Sequence, residues 1–260
     1  MVNFEEIKSI FKGKMLINEP LSRHTSFRIG GPADYYFEPL DKNDLMRLVS
    51  YFRKINSPYM IFGNGSNLLV SDEGLRCAVI SLENSLNNKR VEGGLVYAEA
   101  GIKLSGFVDF CIQNGKAGIE MLAGIPGSLG GALIMNAGAY GGSISDYIHE
   151  VEVFEGGEIR KYKKEEIRFS YRNSSLAHSV ILEASFKLPD GEKETIAKTR
   201  KELLDLRKMN QPVNYPSAGC IFKNPEGHHA ALLVQEAELK GLKVGGAEVS
   251  RLHGNFIINT

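Results

Sequence analysis

The stretch GIPGSLGGALIMNAGAYGG, residues 124–142, holds seven glycines in 19 positions and no charged residue. A segment with so few side chains cannot pack as an ordinary core, and it leaves room for a flat or extended ligand against the backbone. Ser128 and Asn136 can supply hydrogen bonds to such a ligand. A tight crossing of two backbones is the structural alternative, because it also requires glycine.

A second glycine loop, GNGSNL at residues 63–68, follows a predicted strand over residues 59–62. Successive small residues can turn several backbone N–H groups inward and form a concave anion site. The loop is not the dinucleotide fingerprint GxGxxG, because its sixth position is Leu68, and it lacks the GK[ST] of a P-loop. Alone it is typical of an ordinary turn between strands. Together with residues 124–142 it indicates a diphosphate held from two sides.

Helices and strands are mixed around these segments without a regular βαβ order, which predicts an α+β fold rather than a doubly wound parallel sheet. Residues 41–55 carry apolar side chains at helical spacing, and a turn at residues 155–157 predicts a hairpin. Residues 211–225 are predicted as a loop. Further predicted helices cover residues 4–12, 104–114, 192–209 and 229–239, and further strands cover 34–38, 68–70, 78–82, 95–100, 179–188 and 256–258.

Charge and cysteine content narrow the class of protein. Basic and acidic residues are equal, 31 each, which argues against nucleic-acid binding because that needs a basic excess. Cys77, Cys111 and Cys220 have no metal-ligand spacing, so we predict no metal site, and scattered thiols indicate a reducing cytoplasm. We find no apolar leader and no run of about 20 apolar residues, so we predict no membrane contact. We expect a monomer.

Six segments, taken in order, resemble the UDP-N-acetylenolpyruvoylglucosamine reductase family, the MurB family. The similarity extends over nearly the whole chain. The chain has no long tyrosine-bearing loop between Arg172 and Ser217, so it resembles the shorter type of this family. The segments are TSFRIGGPA (25–33), GNGSNLL (63–69), AGIPGSLGGALIMNAGAYGG (123–142), FSYRNS (169–174), QPVNYPSAGCIFKNP (211–225) and GLKVGGAEVS (241–250).

The resemblance implies an α+β, PCMH-type FAD-binding domain over residues 1–190, built of two α+β subdomains at about 1–75 and 76–190. A smaller α+β substrate-binding domain would follow over residues 191–260. The family continues past the final strand with a segment that carries a catalytic glutamate, and no residue here matches it. We expect that the sequence is truncated rather than that the protein is impaired, since the earlier motifs are intact.

The implied activity is that of a UDP-N-acetylmuramate dehydrogenase in peptidoglycan synthesis. A hydride from NADPH would pass through non-covalently bound FAD to the enolpyruvyl ether of UDP-N-acetylglucosamine-enolpyruvate, and protonation of the neighbouring carbon would give UDP-N-acetylmuramate. Two alternatives stay open. One is an FAD-dependent oxidase of the same architecture, and the other is a non-catalytic module that binds flavin or a UDP-sugar.

The resemblance also implies roles for individual residues. Arg172 matches the arginine that stabilises the developing negative charge, although it could instead form a surface ion pair. Cys220 matches the proton donor, more often serine in the family; the alternative is an inert buried cysteine. Tyr140, Lys223 and Asn224 are the predicted substrate contacts. The predicted FAD contacts are Arg28, Gly63, Asn64, Gly65, Ser66, Asn67, Leu68, Gly124, Ile125, Pro126, Gly127, Ser128, Gly130, Gly131, Asn136, Ala137 and Gly138.

Overall fold

The computed structural model describes residues 2–260, and its first unit is a four-stranded sheet covered by two helices. In the strand order β1-β2-β4-β3, β1 pairs antiparallel with β2, whereas β4 runs parallel to both of its neighbours. The elements are α1 (Phe4–Ile10), β1 (Lys14–Pro20), β2 (Pro32–Glu38), α2 (Lys42–Lys54), β3 (Tyr59–Phe62) and β4 (Leu75–Ser81).

Helix α2 shows how the sequence pattern places the core. Asp41 caps its first turn by accepting from the backbone N–H of Asp44. Its four apolar positions at helical spacing, Leu45, Leu48, Val49 and Phe52, are all fully buried. The predicted helix over residues 41–55 is therefore confirmed, and its apolar face lies in a core shared with the second unit.

The second unit is a five-stranded antiparallel sheet with the order β10-β9-β13-β6-β5. The predicted hairpin is confirmed, because β9 and β10 are joined at Gly156 and Gly157, which both have positive φ. The elements are β5 (Lys89–Glu92), β6 (Leu95–Glu99), α3 (Leu104–Gln113), α4 (Leu129–Ile134), β7 (Gly138–Ala139), β8 (Gly142–Ser143), β9 (Ile148–Glu155), β10 (Glu158–Lys163), β11 (Phe169–Ser170), β12 (Asn173–Ser174) and β13 (Val180–Phe186).

The third unit begins with a long helix and ends in a small antiparallel sheet, ordered β14-β17-β16-β15. Few of its large apolar side chains are buried. Its elements are α5 (Lys193–Asn210), β14 (Ser217–Cys220), α6 (Ala230–Glu236), β15 (Lys243–Val244), β16 (Ala247–Val249) and β17 (Phe256–Asn259). The predicted α+β class is confirmed, because every unit mixes helices with strands and the second and third sheets are antiparallel.

Several predicted elements were wrong. Residues 68–70 form no strand; Leu69 is exposed, whereas Val70 packs against Gly30. The predicted helix over residues 229–239 ends at Glu236, and the predicted loop over residues 211–225 contains β14. Strands β1 and β5 were not predicted. We also move the proposed subdomain limit from about residue 75 to residues 82–88, because β4 belongs to the first sheet.

Lys42, the first residue of α2, joins the first two units. Its ammonium group lies 3.3 Å from Glu183, 3.4 Å from Glu152 and 3.7 Å from Glu99, on three neighbouring strands of the second sheet. Arg90 also pairs with Glu183, and both cations help to hold the pKa of Glu183 below its ordinary value against the opposing effect of burial. This cluster and the shared core fix the first two units to each other.

Candidate active site

The two glycine segments touch each other directly. Ser66 Oγ donates a hydrogen bond to the carbonyl of Pro126 at 2.9 Å. A Cβ at Gly63 would lie 2.0 Å from Ser128 Oγ, and a Cβ at Gly127 would lie 3.1 Å from Ser66 Oγ. The crossing of two backbones, which was the structural alternative for residues 124–142, is therefore present, and it brings both predicted cofactor segments to one place.

Packing accounts for several of these glycines, but not for all of them. A Cβ at Gly124 would meet Leu204 at 2.8 Å and Arg207 at 2.9 Å, and a Cβ at Gly130 would meet Ala100 at 3.1 Å. By contrast, a Cβ at Gly131 would meet only Ser128 Oγ, at 3.4 Å. Gly131 is exposed, so the backbone there is accessible to a ligand.

Two buried amide oxygens show what a ligand at this crossing must offer. Asn64 Oδ1 and Asn136 Oδ1, one in each glycine segment, have no hydrogen-bond partner among the described residues. A buried acceptor without a donor is costly. A phosphate cannot satisfy it, because phosphate oxygens are themselves acceptors. A ligand that adds hydroxyl or N–H groups to its phosphates fits these residues, and a flavin dinucleotide has both.

Arg172 occupies the tight turn that joins β11 to β12. Its φ is +57°, a left-handed conformation that is unusual for a residue with a side chain. Two hydrogen bonds flank the turn. Asn136 Nδ2 donates to the carbonyl of Ser170 at 3.3 Å, and the backbone N–H of Asn224 donates to Tyr171 Oη at 3.4 Å. The turn is thus joined to a glycine segment on one side and to the residues after Cys220 on the other.

Cys220 lies at the end of β14, half-buried and with a free thiol. Burial raises the pKa of the Cys220 thiol above its ordinary value, and the positive charges of Arg172 and Arg207 oppose that rise. The thiol is therefore protonated at neutral pH, next to two cations that favour the thiolate once a proton has left. These are the properties required of a general acid.

Arg207 is the residue of this site that the sequence did not reveal. It lies on α5 against Gly124, and burial lowers the pKa of its guanidinium, an effect that the nearby charge of Arg172 reinforces. Its Nε has no hydrogen-bond partner among the described residues. No motif or spacing in the sequence pointed to Arg207, because α5 carries several other lysines and arginines. Only the packing against residues 124–142 distinguishes it.

The predicted substrate residues are held in different ways. Tyr140 donates through its hydroxyl to the carbonyl of Leu203 in α5 at 3.1 Å, while half of its surface stays exposed. Asn224 Oδ1 accepts from the backbone N–H of Ala230 at 3.0 Å, which orients the amide and leaves its Nδ2 free for a ligand. Lys223 and Arg28 are exposed at the surface.

These segments form a closed circuit, which we name the contact ring: residues 24–28, 63–68, 124–142, 169–174 and 217–224. Residues 24–28 close the ring between the first glycine loop and β14. Ser26 donates its backbone N–H to the carbonyl of Gly65 at 3.1 Å and its hydroxyl to the carbonyl of Ser217 at 2.7 Å. All predicted cofactor, substrate and catalytic residues lie on the contact ring.

A separate groove of about 640 Å³ lies between α1, α2 and the β9–β10 hairpin. Met46, Tyr51 and Phe154 contribute to its lining, and none of the predicted site residues does. The contact ring and this groove are therefore different places on the molecule. In the described range, residues 2–260, no helix has the length and apolar character needed to cross a membrane.

Two protein-family models match the chain. Residues 33–161 match a model described as an FAD binding domain, and residues 211–260 match the C-terminal domain of UDP-N-acetylenolpyruvoylglucosamine reductase. A cholesterol oxidase from Brevibacterium sterolicum shares the fold over 69% of this chain and 38% of that chain, with a TM-score of 0.53 and 16% identity. The cholesterol oxidase shows only that the fold is shared, and the two family models define a flavin-dependent oxidoreductase.

More similar proteins define the family. The chain is 46% identical to UDP-N-acetylenolpyruvoylglucosamine reductase of Caldanaerobacter subterraneus, over 98% of this chain and 86% of the relative. It is 42% identical to that of Heliobacterium modesticaldum, over 98% of this chain and 82% of the relative. The crystal structure of the Thermus caldophilus enzyme matches with a TM-score of 0.81 and 36% identity, over 95% of this chain and 88% of that one. The chain belongs to the UDP-N-acetylenolpyruvoylglucosamine reductase family.

Proposed function

We propose that the contact ring is the active site at which this chain reduces UDP-N-acetylglucosamine-enolpyruvate to UDP-N-acetylmuramate, with NADPH as the reductant. The convergence of the two glycine segments with Arg172 and Cys220 carries the proposal, because family membership alone does not assign roles to residues. FAD, when bound, would carry the hydride from NADPH to the enolpyruvyl double bond. The remaining steps fall to side chains of this chain.

The glycine segments would bind and orient the cofactor. Gly131 supplies exposed backbone, and Asn64 and Asn136 supply the two unpartnered acceptors. A ligand donor at each acceptor removes the cost of an unsatisfied buried group, so binding and orientation depend on the same contacts. Arg28 is exposed beside the first loop and would meet a phosphate as a cation.

Arg172 and Arg207 would bind the substrate carboxylate and stabilise the enolate-like charge that develops on it. The positive charges of both guanidinium groups oppose the rise in the pKa of the Cys220 thiol; Arg172 follows Tyr171, whose hydroxyl accepts from the Asn224 N–H, and Arg207 packs against Gly124. A fixed guanidinium placed where charge develops needs no reorganisation during the reaction, and this is why it lowers the barrier. Tyr140, Lys223 and Asn224 would hold the rest of the substrate.

Cys220 would deliver the proton. The hydride adds to one carbon of the double bond, and the electron pair then held at the neighbouring carbon takes the proton from the thiol. The thiolate that remains is stabilised by Arg172 and Arg207, and it regains a proton from solvent before the next turnover. We also propose a cytoplasmic location, because all three cysteines are unpaired and thiols persist in reducing compartments.

The test separates flavin reduction from substrate reduction. Cys220→Ala is expected to keep NADPH-driven bleaching of the bound flavin and to lower substrate turnover by roughly 10²–10⁴-fold, the usual effect of losing a general acid. Stopped-flow absorbance measures the first step, and NADPH consumption with substrate measures the second. Cys77→Ala, which removes a lone thiol in β4, is the matched control. Wild-type turnover in Cys220→Ala would remove Cys220 from the mechanism.

The same preparation also distinguishes the two alternatives. An oxidase would consume O₂ at a rate close to that of flavin reduction, and a binding module would hold flavin without turning over NADPH. A protein that takes up no added FAD would contradict the proposal and both alternatives.

A further inference from the structure

A hydrogen-bonded network of three side chains lies behind the first glycine loop. His24 Nε2 lies 2.9 Å from Glu19 Oε1, and Tyr36 Oη lies 2.8 Å from His24 Nδ1. The His24 and Tyr36 rings also stack, with their centroids 4.1 Å apart. Tyr36 is buried, and the side chains of Glu19 and His24 are mostly covered. Both nitrogens of the imidazole are therefore used to fix its position.

One tautomer of the neutral imidazole satisfies both partners at once. Burial raises the pKa of Tyr36 well above its ordinary value, so its hydroxyl stays protonated and can donate to His24 Nδ1. The Nε2–H then donates to the Glu19 carboxylate. No single amide or hydroxyl side chain can replace both hydrogen bonds with the same geometry, which makes histidine specific to this position.

The backbone that follows His24 contacts both sides of the proposed active site. On one side, a Cβ at Gly65 would lie 2.0 Å from the carbonyl oxygen of His24, and Ser26 donates its N–H to the carbonyl of Gly65. On the other side, Ser26 Oγ donates to the carbonyl of Ser217 in β14, and Asn259 Nδ2 donates to the carbonyl of Phe27 at 3.1 Å. Strand β14 ends at Cys220.

We propose that His24 is a positioning residue, which holds residues 24–28 so that they set the first glycine loop for the flavin and strand β14 for proton delivery. The inference rests on the proposed function, since it needs the flavin at residues 63–68 and the proton from Cys220. His24 is the anchor of residues 24–28, which make two separate sets of contacts that we call arms. One arm reaches Gly65 and the other reaches β14, and each has its own consequence for activity.

The first experiment tests the anchor through flavin affinity. Holoprotein is stripped of flavin, and the FAD dissociation constant is measured by fluorescence quenching for wild type, His24→Ala, His24→Gln and Tyr36→Phe. His24→Ala is expected to raise the dissociation constant by roughly tenfold, the equivalent of about one net hydrogen bond. His24→Gln, whose amide can still donate to Glu19, should recover part of the affinity. Tyr36→Phe removes the hydroxyl that bonds to His24 and keeps the ring volume, so it tests the network even if His24→Ala does not fold.

A matched control separates positioning from a general loss of stability. Arg76→Ala breaks the ion pair between Arg76 and Asp34, 2.6 Å long and in the same sheet, which lies outside the contact ring. It is expected to leave the FAD dissociation constant unchanged, whatever it does to the thermal midpoint of the apoprotein. Equal affinity in His24→Ala, Tyr36→Phe and wild type would overturn the proposal. A wild-type protein that binds no FAD would instead overturn the proposed function.

The second experiment tests the arm that leads to Cys220. Ser26→Ala removes the hydrogen bond to Ser217 and leaves the backbone hydrogen bond to Gly65 in place. The variant is expected to bind FAD like wild type and to accept electrons from NADPH at the same rate, while kcat for substrate reduction falls by roughly fivefold. An unchanged kcat would show that this arm does not position β14, and a weaker FAD affinity would show that the two arms are not separate.

Discussion

The flavin-binding part of the molecule and its C-terminal part are held together by different forces. Residues 2–190 share a continuous apolar core across two sheets. In residues 193–260 the only large apolar side chains that are buried are Ile196, Phe256 and Ile258. Its contacts with the flavin-binding part are the packing of α5, with Leu204 against Gly124, and polar contacts such as that of Ser26 with Ser217. The proposed cofactor site is thus built on the shared core, and Cys220, the proposed proton donor, is carried on a part with few buried apolar side chains of its own.

The largest expected effect is on stability, and it distinguishes the core of residues 2–190 from the C-terminal part. Phe107→Ala removes a fully buried ring that packs on Phe186 with centroids 4.8 Å apart. It is expected to lower the free energy of unfolding by about 3–5 kcal/mol and to release flavin in the same transition. Phe256→Ala should lower the stability of the C-terminal part while flavin stays bound. Urea unfolding followed by flavin fluorescence and by far-UV circular dichroism checks both variants. Coincident transitions in Phe256→Ala would show a single cooperative unit.

An intermediate effect is expected where α5 meets the flavin-binding part. Because the Arg207 charge lowers the pKa of Cys220, Arg207→Gln should raise that pKa further. Cys220 must be protonated to act, so the alkaline fall of kcat should move to higher pH, and kcat itself should fall roughly 10²-fold. A pH–rate profile measures both changes. Lys208→Gln, at an exposed neighbouring cation, is the control; a shift to lower pH in Arg207→Gln would contradict the assignment of Cys220.

The smallest effect is expected at Tyr140, which links a glycine segment to α5. Tyr140→Phe loses the hydrogen bond to Leu203 and keeps the ring, so stability should fall by about 0.5–1.5 kcal/mol with little change in KM. Tyr140→Ala also removes the ring and should raise KM for the substrate. Steady-state kinetics on both variants distinguishes them. An equal KM in the two variants would mean that the ring does not contact the substrate.

Elements with a local signal in the sequence could be predicted, and elements without one could not. Helix α2 and the β9–β10 hairpin follow from local signals, namely apolar spacing and a Gly-Gly turn. Strand β5 is exposed along its whole length and has no buried face to leave an alternating pattern, so it was missed. Residues 68–70 have the composition of a strand, but the chain there runs between a glycine loop and a turn, without a sheet partner.

The site shows a similar contrast between local and tertiary information. The glycine segments and the motifs around Arg172 and Cys220 are continuous in sequence, and the structure brings them onto one ring. Arg207 and the anchor at His24 depend on which residues pack against Gly124 and Gly65, and no spacing in the chain encodes that. The unpartnered oxygens of Asn64 and Asn136 could be found only after the surrounding atoms had been placed.

The left-handed backbone at Arg172 lowers the stability of the protein at a residue with a proposed role in activity. A side chain in the left-handed region is strained there by about 1 kcal/mol relative to glycine, which adopts the same φ freely. In the proposed mechanism the guanidinium of Arg172 is needed at this turn, which gives a reason for an arginine at a position that glycine would occupy without strain. A search for heat-resistant variants that ignored turnover would therefore favour glycine at position 172, and under the proposed mechanism it would select a more stable protein that has lost its reductase activity.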